Sequence, residues 1–328
     1  MQTLYTIFDI MEGIRCDMLT NTIVLALYNG KNYIIDQLDS LLNQSHQPDK
    51  VIIADDGSND GSVGLVEKYI EDHGLSGKWI LKKNKKNLGY ANNFWYATQE
   101  VETDIFFFCD QDDIWKKEKI ETMLKIFEDN NQVMVLGSGY TAFTDQGENY
   151  KDIALTRVSE TNELEKVKLN PKTIFIGCEG CTMAVRTIFL KEIRKYHYDK
   201  APHDEFVWKA ALCVEGCYVL HKSLMMRRFH ANNVTHNKMH SYDVRVKFLE
   251  LLLESHKAML KQAKEIEISY NQIKLINNNI ESVKYRIHMI KTASIIDLII
   301  LVIKYRKFYH SKKAIIIEYL IAMKNKVK

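Results

Sequence analysis

From Thr22 the chain repeats one pattern. Residues 22–28 (TIVLALY) form an unbroken apolar run of strand length, and Ile34, Leu38, Leu41 and Leu42 then recur at helical spacing until Pro48, which is expected to stop the helix. A second strand, Val51–Ala54, runs into the polar stretch Asp55–Asp60, where Gly57 permits a tight turn and Ser58 or Asp60 is placed to cap the next helix. Trp79–Lys82 and a helix from about Tyr90 follow, and a fourth strand, Asp104–Cys109, ends in Asp110-Gln111-Asp112-Asp113. This alternation predicts an α/β fold with a largely parallel sheet and helices on both faces.

The second half is less regular. Strands are expected at 133–138, 181–186 and 217–220, with a helix beginning near His203. After Gly216 there is neither Gly nor Pro, so helices should dominate from Tyr242 onward. The tail alternates apolar and basic blocks: Ser294–Ile303, then Lys304–Lys313, then Ala314–Met323. Each apolar block is about half the ~20 residues that a spanning helix needs. Contact with a membrane surface is therefore expected rather than a span, with a helical cap on the catalytic domain as the alternative.

Composition fits a globular chain, with 46% hydrophobic and 27% charged residues in 328. Formal net charge is +3, yet nine Lys/Arg stand against Asp297 and Glu318 between Lys291 and Lys328, leaving the rest at about −4. Nothing here implies a nucleic-acid partner. Six cysteines (Cys16, Cys109, Cys178, Cys181, Cys213, Cys217) lie among apolar neighbours, and Asp9, Glu12 and Asp17 interrupt any N-terminal apolar run. The expected location is cytoplasmic, peripheral at the inner face of the cell membrane. Zinc at Cys178/Cys181 or Cys213/Cys217 is the weaker reading of those pairs.

Ligands of open α/β sheets bind at the carboxyl ends of the strands. Asp55 and Asp56 follow one strand and Asp110, Asp112 and Asp113 another. Like charges gathered at one edge repel unless a cation lies between them, and hard oxygen ligands suit Mg²⁺ or Mn²⁺ carrying a diphosphate. A single Asp-x-Asp is more often just solvated loop charge. Several motifs in register change that weighting.

Residues 21–236 resemble the family 2 glycosyltransferases, which have the GT-A fold, a Rossmann-like nucleotide-diphospho-sugar transferase domain; rhamnosyltransferase-like enzymes of bacterial cell-surface polysaccharide synthesis are the nearest subgroup. The resemblance rests on Tyr28-Asn29-Gly30 with Gln37–Ser40, Asp55–Ser58, Asn87-Leu88-Gly89 with Asn93-Phe94, Asp110–Trp115, Gly180–Met183, His203-Asp204 and Arg228–Asn233, in that order. It implies a catalytic domain at 21–236, with a nucleotide-sugar half at 21–115 and an acceptor half at 116–236. Residues 237–328 are then a C-terminal helical extension, and 1–20 an N-terminal extension in which Met18 is an expected natural start.

Carried over residue by residue, the resemblance implies that Tyr28, Asn29, Asp55, Asp56, Asn93, Asp110 and Arg228 bind the nucleotide-sugar. Asp112 and His230, with Asp110 as a further ligand, would hold the metal, and Asp204 would be the catalytic base. Trp115, Gly180, Cys181 and Thr182 would face the acceptor. Two positions depart from the family's pattern: Leu27 replaces a small hydroxyl residue and Glu205 an aromatic, which makes Glu205 a rival base. The implied reaction moves a sugar, first choice rhamnose from dTDP-rhamnose, with inversion to a hydroxyl of a lipid-linked glycan.

The residue chemistry agrees with those roles. A sugar hydroxyl needs a carboxylate to take its proton, and a departing diphosphate needs positive charge. His203 and His230, taken alone, would read as a helix-start residue and a half-buried strand residue. The alternatives are a UDP-hexose-dependent transferase or a non-catalytic scaffold of a glycan-assembly complex. A dehydrogenase is excluded by the lack of Gly-x-Gly-x-x-Gly after the first strand, and a nucleotidyltransferase by the lack of a basic Gly-rich loop there.

Overall fold

The computed structural model describes residues 18–144, 159–230, 241–309 and 312–326. The expected elements of the first half are present: β1 (Asn21–Leu27), α1 (Ile34–Leu42), β2 (Lys50–Asp55), α2 (Ser62–Asp72), β3 (Trp79–Lys83), α3 (Tyr90–Thr98) and β4 (Ile105–Asp110). β1 lies between β2 and β4, parallel to both, and β3 extends the sheet beyond β2. Alternate residues feed two cores. Val24, Ile52, Phe106 and Phe108 turn to one face, and Ile23, Leu25, Ile53, Phe107 and Cys109 to the other, as a two-residue side-chain period requires. Strands covered on both faces read as continuous apolar runs, which is how they stood out in the sequence.

Local details correct two expectations. Helix α1 ends at Leu42, well before Pro48. The amides of Asn43, Gln44 and Gln47 donate to the carbonyls of Asp39, Ser40 and Leu42, so the helix end is satisfied before the proline is reached. Helix α2 starts behind Gly61 (φ 92°), with Asp60 Oδ1 accepting from Ser62 N at 2.9 Å and Ser62 Oγ at 2.6 Å. Ser58 is used elsewhere: its hydroxyl accepts from Asn29 N at 2.9 Å.

Beyond β4 come β5 (Ile114–Trp115), α4 (Lys119–Asp129), β6 (Val135–Thr144), β7 (Leu164–Lys166), β8 (Ala184–Arg186), α5 (Thr187–Ile193), α6 (His203–Cys213) and β9 (Cys217–Phe229). The sheet continues past β4 as β8, β6, β9 and β5, with β7 also on β9. Only the β6–β9 pair is parallel here, so the sheet as a whole is mixed. The strand expected at 181–186 is shortened, because Thr182 N and Oγ1 both donate to Glu179 O and curl Gly180–Thr182 into a 3₁₀ turn. The strand expected at 217–220 runs on to Phe229: His221-Lys222-Ser223 interrupts the apolar run but stays in the ladder, while β6 opposite shifts register between Gly137 and Thr141.

The C-terminal region is helical as expected: α7 (Tyr242–Glu265), α8 (Tyr270–Thr292), α9 (Ile295–Lys304) and α10 (Lys312–Lys326). Ser241, Ser269 and Ser294 cap the first three of these helices. Met259 and Ala263 of α7 and Ile276 and Ile280 of α8 join the core beneath α6, so apolar packing continues across residue 237. Glu318 of α10 is sealed from solvent, where it accepts from Arg286 Nη2 at 2.6 Å, Arg286 Nε at 3.0 Å and Tyr309 OH at 3.1 Å. The tail is thus packed as a cap on one side. No helix among the described residues is long and apolar enough to cross a membrane.

Candidate active site

The site lies where β1 and β4 separate, the point at which successive strands stop extending the sheet in one direction and begin extending it in the other. Such a switch leaves a crevice at the strand ends. Three loops meet there and are stitched together by short polar bonds. Tyr28 N donates to Gln111 Oε1 at 2.8 Å and Gln111 Nε2 returns to Tyr28 O at 3.0 Å. Asn29, with φ 49°, accepts at Oδ1 from Asn59 N at 2.9 Å, and Lys31 N donates to Asp60 at 2.9 Å. Gly30 leaves room for Gln111: a Cβ there would lie 2.4 Å from its Oε1 and displace that side chain from Tyr28.

Asp55 turns its carboxylate back onto Gly57 N and Ser58 N, holding the β2 loop closed. Asp56 is engaged further, with Leu88 N at 2.8 Å, Asn84 Nδ2 at 3.0 Å and Gly89 N at 2.9 Å. Asn93 spans Ala54 O and Asn84 Nδ2, both at 2.8 Å. Asp56 and Asn93 are 2% exposed, so both set the position of the 84–89 loop from behind.

The 110–113 loop concentrates negative charge. Asp113 Oδ1 accepts from Arg228 N at 3.1 Å, while Oδ2, also buried, has no partner. Burial, then Asp112 and Asp110, pushes the Asp113 carboxyl well above its usual range. Burial and the neighbouring Asp112 raise Asp110 too, against the pull of Arg227. Cys181, whose thiol burial also pushes up, comes close enough that ligand atoms of Asp110, Asp113 and Cys181 all lie within 4.8 Å of one another. Among the described residues this grouping, rather than either cysteine pair, has metal-binding spacing. Beneath it Lys119 Nζ donates to Cys181 O at 2.7 Å and sits 3.7 Å over the Trp115 ring, and burial lowers its pKa to about 8.

The end of β9 closes the other side. Adjacent strand residues face opposite ways, so Arg227 meets Glu179 Oε1 (3.2 Å) while Arg228 meets Asp36 Oδ2 (2.7 Å) and Asp112 O (3.0 Å). His230 Nε2 lies 2.7 Å from Asp112 Oδ2, and its ring stacks on Tyr33 at 4.6 Å. The Ala231–Asn233 part of this motif lies outside the described residues.

Helix α6 supplies the third wall. His203 is fixed at its first turn by aromatic contacts with Phe94 (4.0 Å) and Phe108 (4.5 Å), neither ring nitrogen has a hydrogen-bond partner, and burial keeps the imidazole neutral by lowering its pKa. Gly180 makes room for it, since a Cβ there would lie 2.5 Å from His203 Nε2. Asp204 is next, near enough to raise Asp110 and Tyr90 electrostatically. Glu205 is committed elsewhere: it accepts from Lys209 Nζ at 2.5 Å and Ser255 Oγ at 2.9 Å, tying α6 to α7. That geometry separates the two rival bases.

Residues 22–192 match the family described as Glycosyl transferase family 2. This chain belongs to glycosyl transferase family 2. An uncharacterized glycosyltransferase of Rickettsia typhi is 26% identical over 250 residues, covering 73% of this chain and 74% of that one. A dTDP-rhamnosyl transferase of Shigella flexneri is 25% identical over 267 residues, covering 78% and 88%. Among solved structures, S. aureus TarS 1–349 in complex with UDP-GlcNAc aligns with a TM-score of 0.62 at 15% identity, over 94% of this chain and 92% of that one. The fold is GT-A with a C-terminal helical extension.

In this family 2 glycosyltransferase the residues expected on the acceptor side are buried. Trp115, Cys181 and Thr182 are at most 3% exposed, which puts them behind the site wall rather than on it, and Gly180 acts by admitting His203. Residues that sequence reasoning passed over do more. Buried Arg227 and half-buried Glu179 pair beside Asp110, Lys119 lies under the acids, and Gln111 and Asp36 hold the loops. Arg227 had a usable signal, being the strand neighbour of an already suspected arginine. Lys119 had none, because it sits at the start of an otherwise ordinary amphipathic helix.

Proposed function

We propose that this glycosyltransferase moves one sugar, first choice rhamnose from dTDP-rhamnose, with inversion to a hydroxyl of a lipid-linked cell-surface glycan at the inner face of the membrane. The observation that carries the reading is the meeting of Asp112 and His230 at 2.7 Å beside the raised Asp110 carboxyl, at the rim of the loops that bear Tyr28, Asn29 and Asp55. A carboxylate oxygen and an imidazole nitrogen suit Mn²⁺, and Mg²⁺ with more water retained. A divalent cation held by Asp112 and His230 would supply positive charge to the diphosphate as it leaves.

The chain's own residues do the rest. Tyr28 and Asn29 border the base, and Asp55, with its turn held shut, presents a fixed edge to it. Asp110 is set to hold the ribose, whose hydroxyls can donate to a carboxylate. Asp204 takes the acceptor's proton as the new bond forms. Arg228, already fixed on Asp36 and the Asp112 carbonyl, adds permanent charge at the diphosphate. No side chain need attack the sugar, so a single displacement with inversion is the economical course.

Rhamnose is favoured by the Shigella relative, whose printed activity is dTDP-rhamnosyl transfer and which aligns along most of both chains. A UDP-hexose donor is the second reading, favoured by the fold shared with TarS bound to UDP-GlcNAc. A non-catalytic scaffold would have no need to keep Asp112, His230 and Asp204. The test is donor consumption by the purified chain with dTDP-rhamnose, UDP-glucose, UDP-galactose and UDP-GlcNAc, each with Mn²⁺ and with chelator. Metal-dependent consumption of dTDP-rhamnose above the others supports the reading, preference for a UDP-sugar selects the second, and no turnover of any donor overturns both.

A further inference from the structure

Helix α9 is packed inside out. At 100° per residue, Ile295, Ile296, Ile299, Val302 and Ile303 fall within an arc of about 120°, and all five are exposed, Ile303 at 79% and Ile296 at 67%. Diametrically opposite are Asp297 and Leu301, which are buried. A surface helix ordinarily turns its apolar side to the core and its acid to water. This one presents β-branched aliphatics outward and turns its acid inward, where Asp297 pairs with His288. The next helix repeats the arrangement in shorter form: Ile316, Leu320 and Met323 of α10 are exposed one turn apart, and Glu318 on the opposite side is 0% exposed.

The charges say what covers this surface. The two acids between Ser294 and Lys326 both face inward and are both paired. Lys304, Arg306, Lys307, Lys313, Lys324 and Lys326 are exposed. Apart from Asn325, the exposed described side chains of α9 and α10 are therefore aliphatic or cationic, Met323 included with the apolar set. Such a surface lacks the acids with which a second copy could answer its own cations, and a neutral apolar partner would leave the cations unanswered. An anionic phospholipid leaflet answers both at once, taking the aliphatics among its acyl chains and the cations among its phosphates. Helix α9 is about 15 Å long, half of what a span needs, so it lies along the surface.

We propose that the outward faces of α9 and α10 form a docking surface for an anionic phospholipid membrane, with α9 in the headgroup plane and Lys304, Arg306 and Lys307 at its end. This extends the transferase reading above, on which its purpose rests; its support is the packing of α9 and α10 and the charges they expose. An enzyme held at the surface where a lipid-linked acceptor is confined meets that acceptor at raised effective concentration.

The experiment is co-sedimentation of the full chain with vesicles of equal parts phosphatidylglycerol and phosphatidylcholine, and of phosphatidylcholine alone, at low and high salt. Wild type should pellet with the anionic vesicles, less so at high salt, and weakly with neutral ones. Ile299→Asp with Ile303→Asp alters exposed positions only, so melting temperature should be kept while vesicle binding falls about tenfold or more per isoleucine. Replacing Lys304, Arg306 and Lys307 by Gln should cost about fivefold per charge and abolish most of the salt dependence. Donor hydrolysis should be unchanged in both variants, which keeps this test separate from that of the transferase reading. Wild type that ignores anionic vesicles at low salt overturns the proposal. So does retained binding in the double variant, or a dimer in light scattering that the double variant breaks, which would assign the face to a second copy.

Discussion

Two regions of this molecule bury charge, and they do it in opposite ways. In the C-terminal layer Glu318 is enclosed by cations: a two-point contact from Arg286, a hydroxyl from Tyr309, and Arg245 at 3.7 Å. At the sheet edge acids crowd together, with Arg227 and Lys119 as the cations beside them. Asp110, Asp112 and Asp113 lie in one loop with Asp204 near, and an oxygen of Asp113 has no partner at all. Opposite charges brought together need nothing more, and their role is to fix one helix on another. Like charges brought together raise each other's pKa values and wait for a cation or a proton. The difference separates architecture from chemistry within one chain.

The contrast breaks most visibly at Asp204. Asp204→Asn should lower kcat by about 10²–10⁴ while leaving donor affinity and melting temperature near wild type, the usual cost of losing a positioned base. Glu205→Gln should do the reverse, keeping kcat per folded molecule but melting earlier, because Lys209 loses its carboxylate partner. Exchange of those two patterns would move the base by one residue. Next is Glu318→Gln, which leaves Arg286 and Arg245 uncompensated and should cost about 3–5 kcal/mol in denaturant unfolding.

The same chemical change at Asp113 should have the opposite sign. Asp113→Asn removes one member of a repelling set and keeps an acceptor for Arg228 N, so the metal-free protein should gain about 1 kcal/mol at neutral pH. The pH dependence sharpens this. A carboxyl whose folded pKa is raised is at its most favourable below its unfolded value and loses that advantage as pH rises through the folded value. The gain from Asp113→Asn should therefore shrink as pH falls toward the ordinary aspartate range. The smallest effect concerns His197, stacked on Trp95 at 3.5 Å and lowered by burial to about 4. A depressed histidine contributes stability above its unfolded pKa that is lost as pH falls to the folded one. His197→Phe should therefore flatten the fall in melting temperature between about pH 6.5 and 4.

Much of this was legible in the sequence. The runs at 22–28, 51–54 and 104–109 stood out because strands buried on both faces carry no polar interruption. The loops that follow carry their acids in adjacent residues, so Asp55, Asp110 and Asp112 could be named as candidates from the pattern, and Asp204 from the family resemblance. What the sequence hid falls into three kinds. Strand β9 carries His221, Lys222, Arg227 and Arg228 although it is paired on both sides in the sheet, and the sequence pattern marked only its first four residues as strand. Helix α9 stood out as an apolar block expected at a membrane surface, but which side of it is covered shows only in the packing, where Asp297 faces in and the isoleucines face out. Lys119 and Glu179 were invisible for a third reason: they act on the site from underneath, through contacts between residues more than sixty positions apart in one case and forty-eight in the other.

The central claim is that the crowded acids at the sheet edge are a metal-assisted nucleotide-sugar site. Calorimetric titration of dTDP-rhamnose and of UDP-GlcNAc into the full chain, with Mn²⁺ and with chelator, tests it most directly when repeated on Asp112→Asn. One of the donors should bind with Mn²⁺ and weaken at least about tenfold without it, and Asp112→Asn should bind equally weakly in both conditions. Donor binding that ignores both the metal and Asp112 would contradict the account.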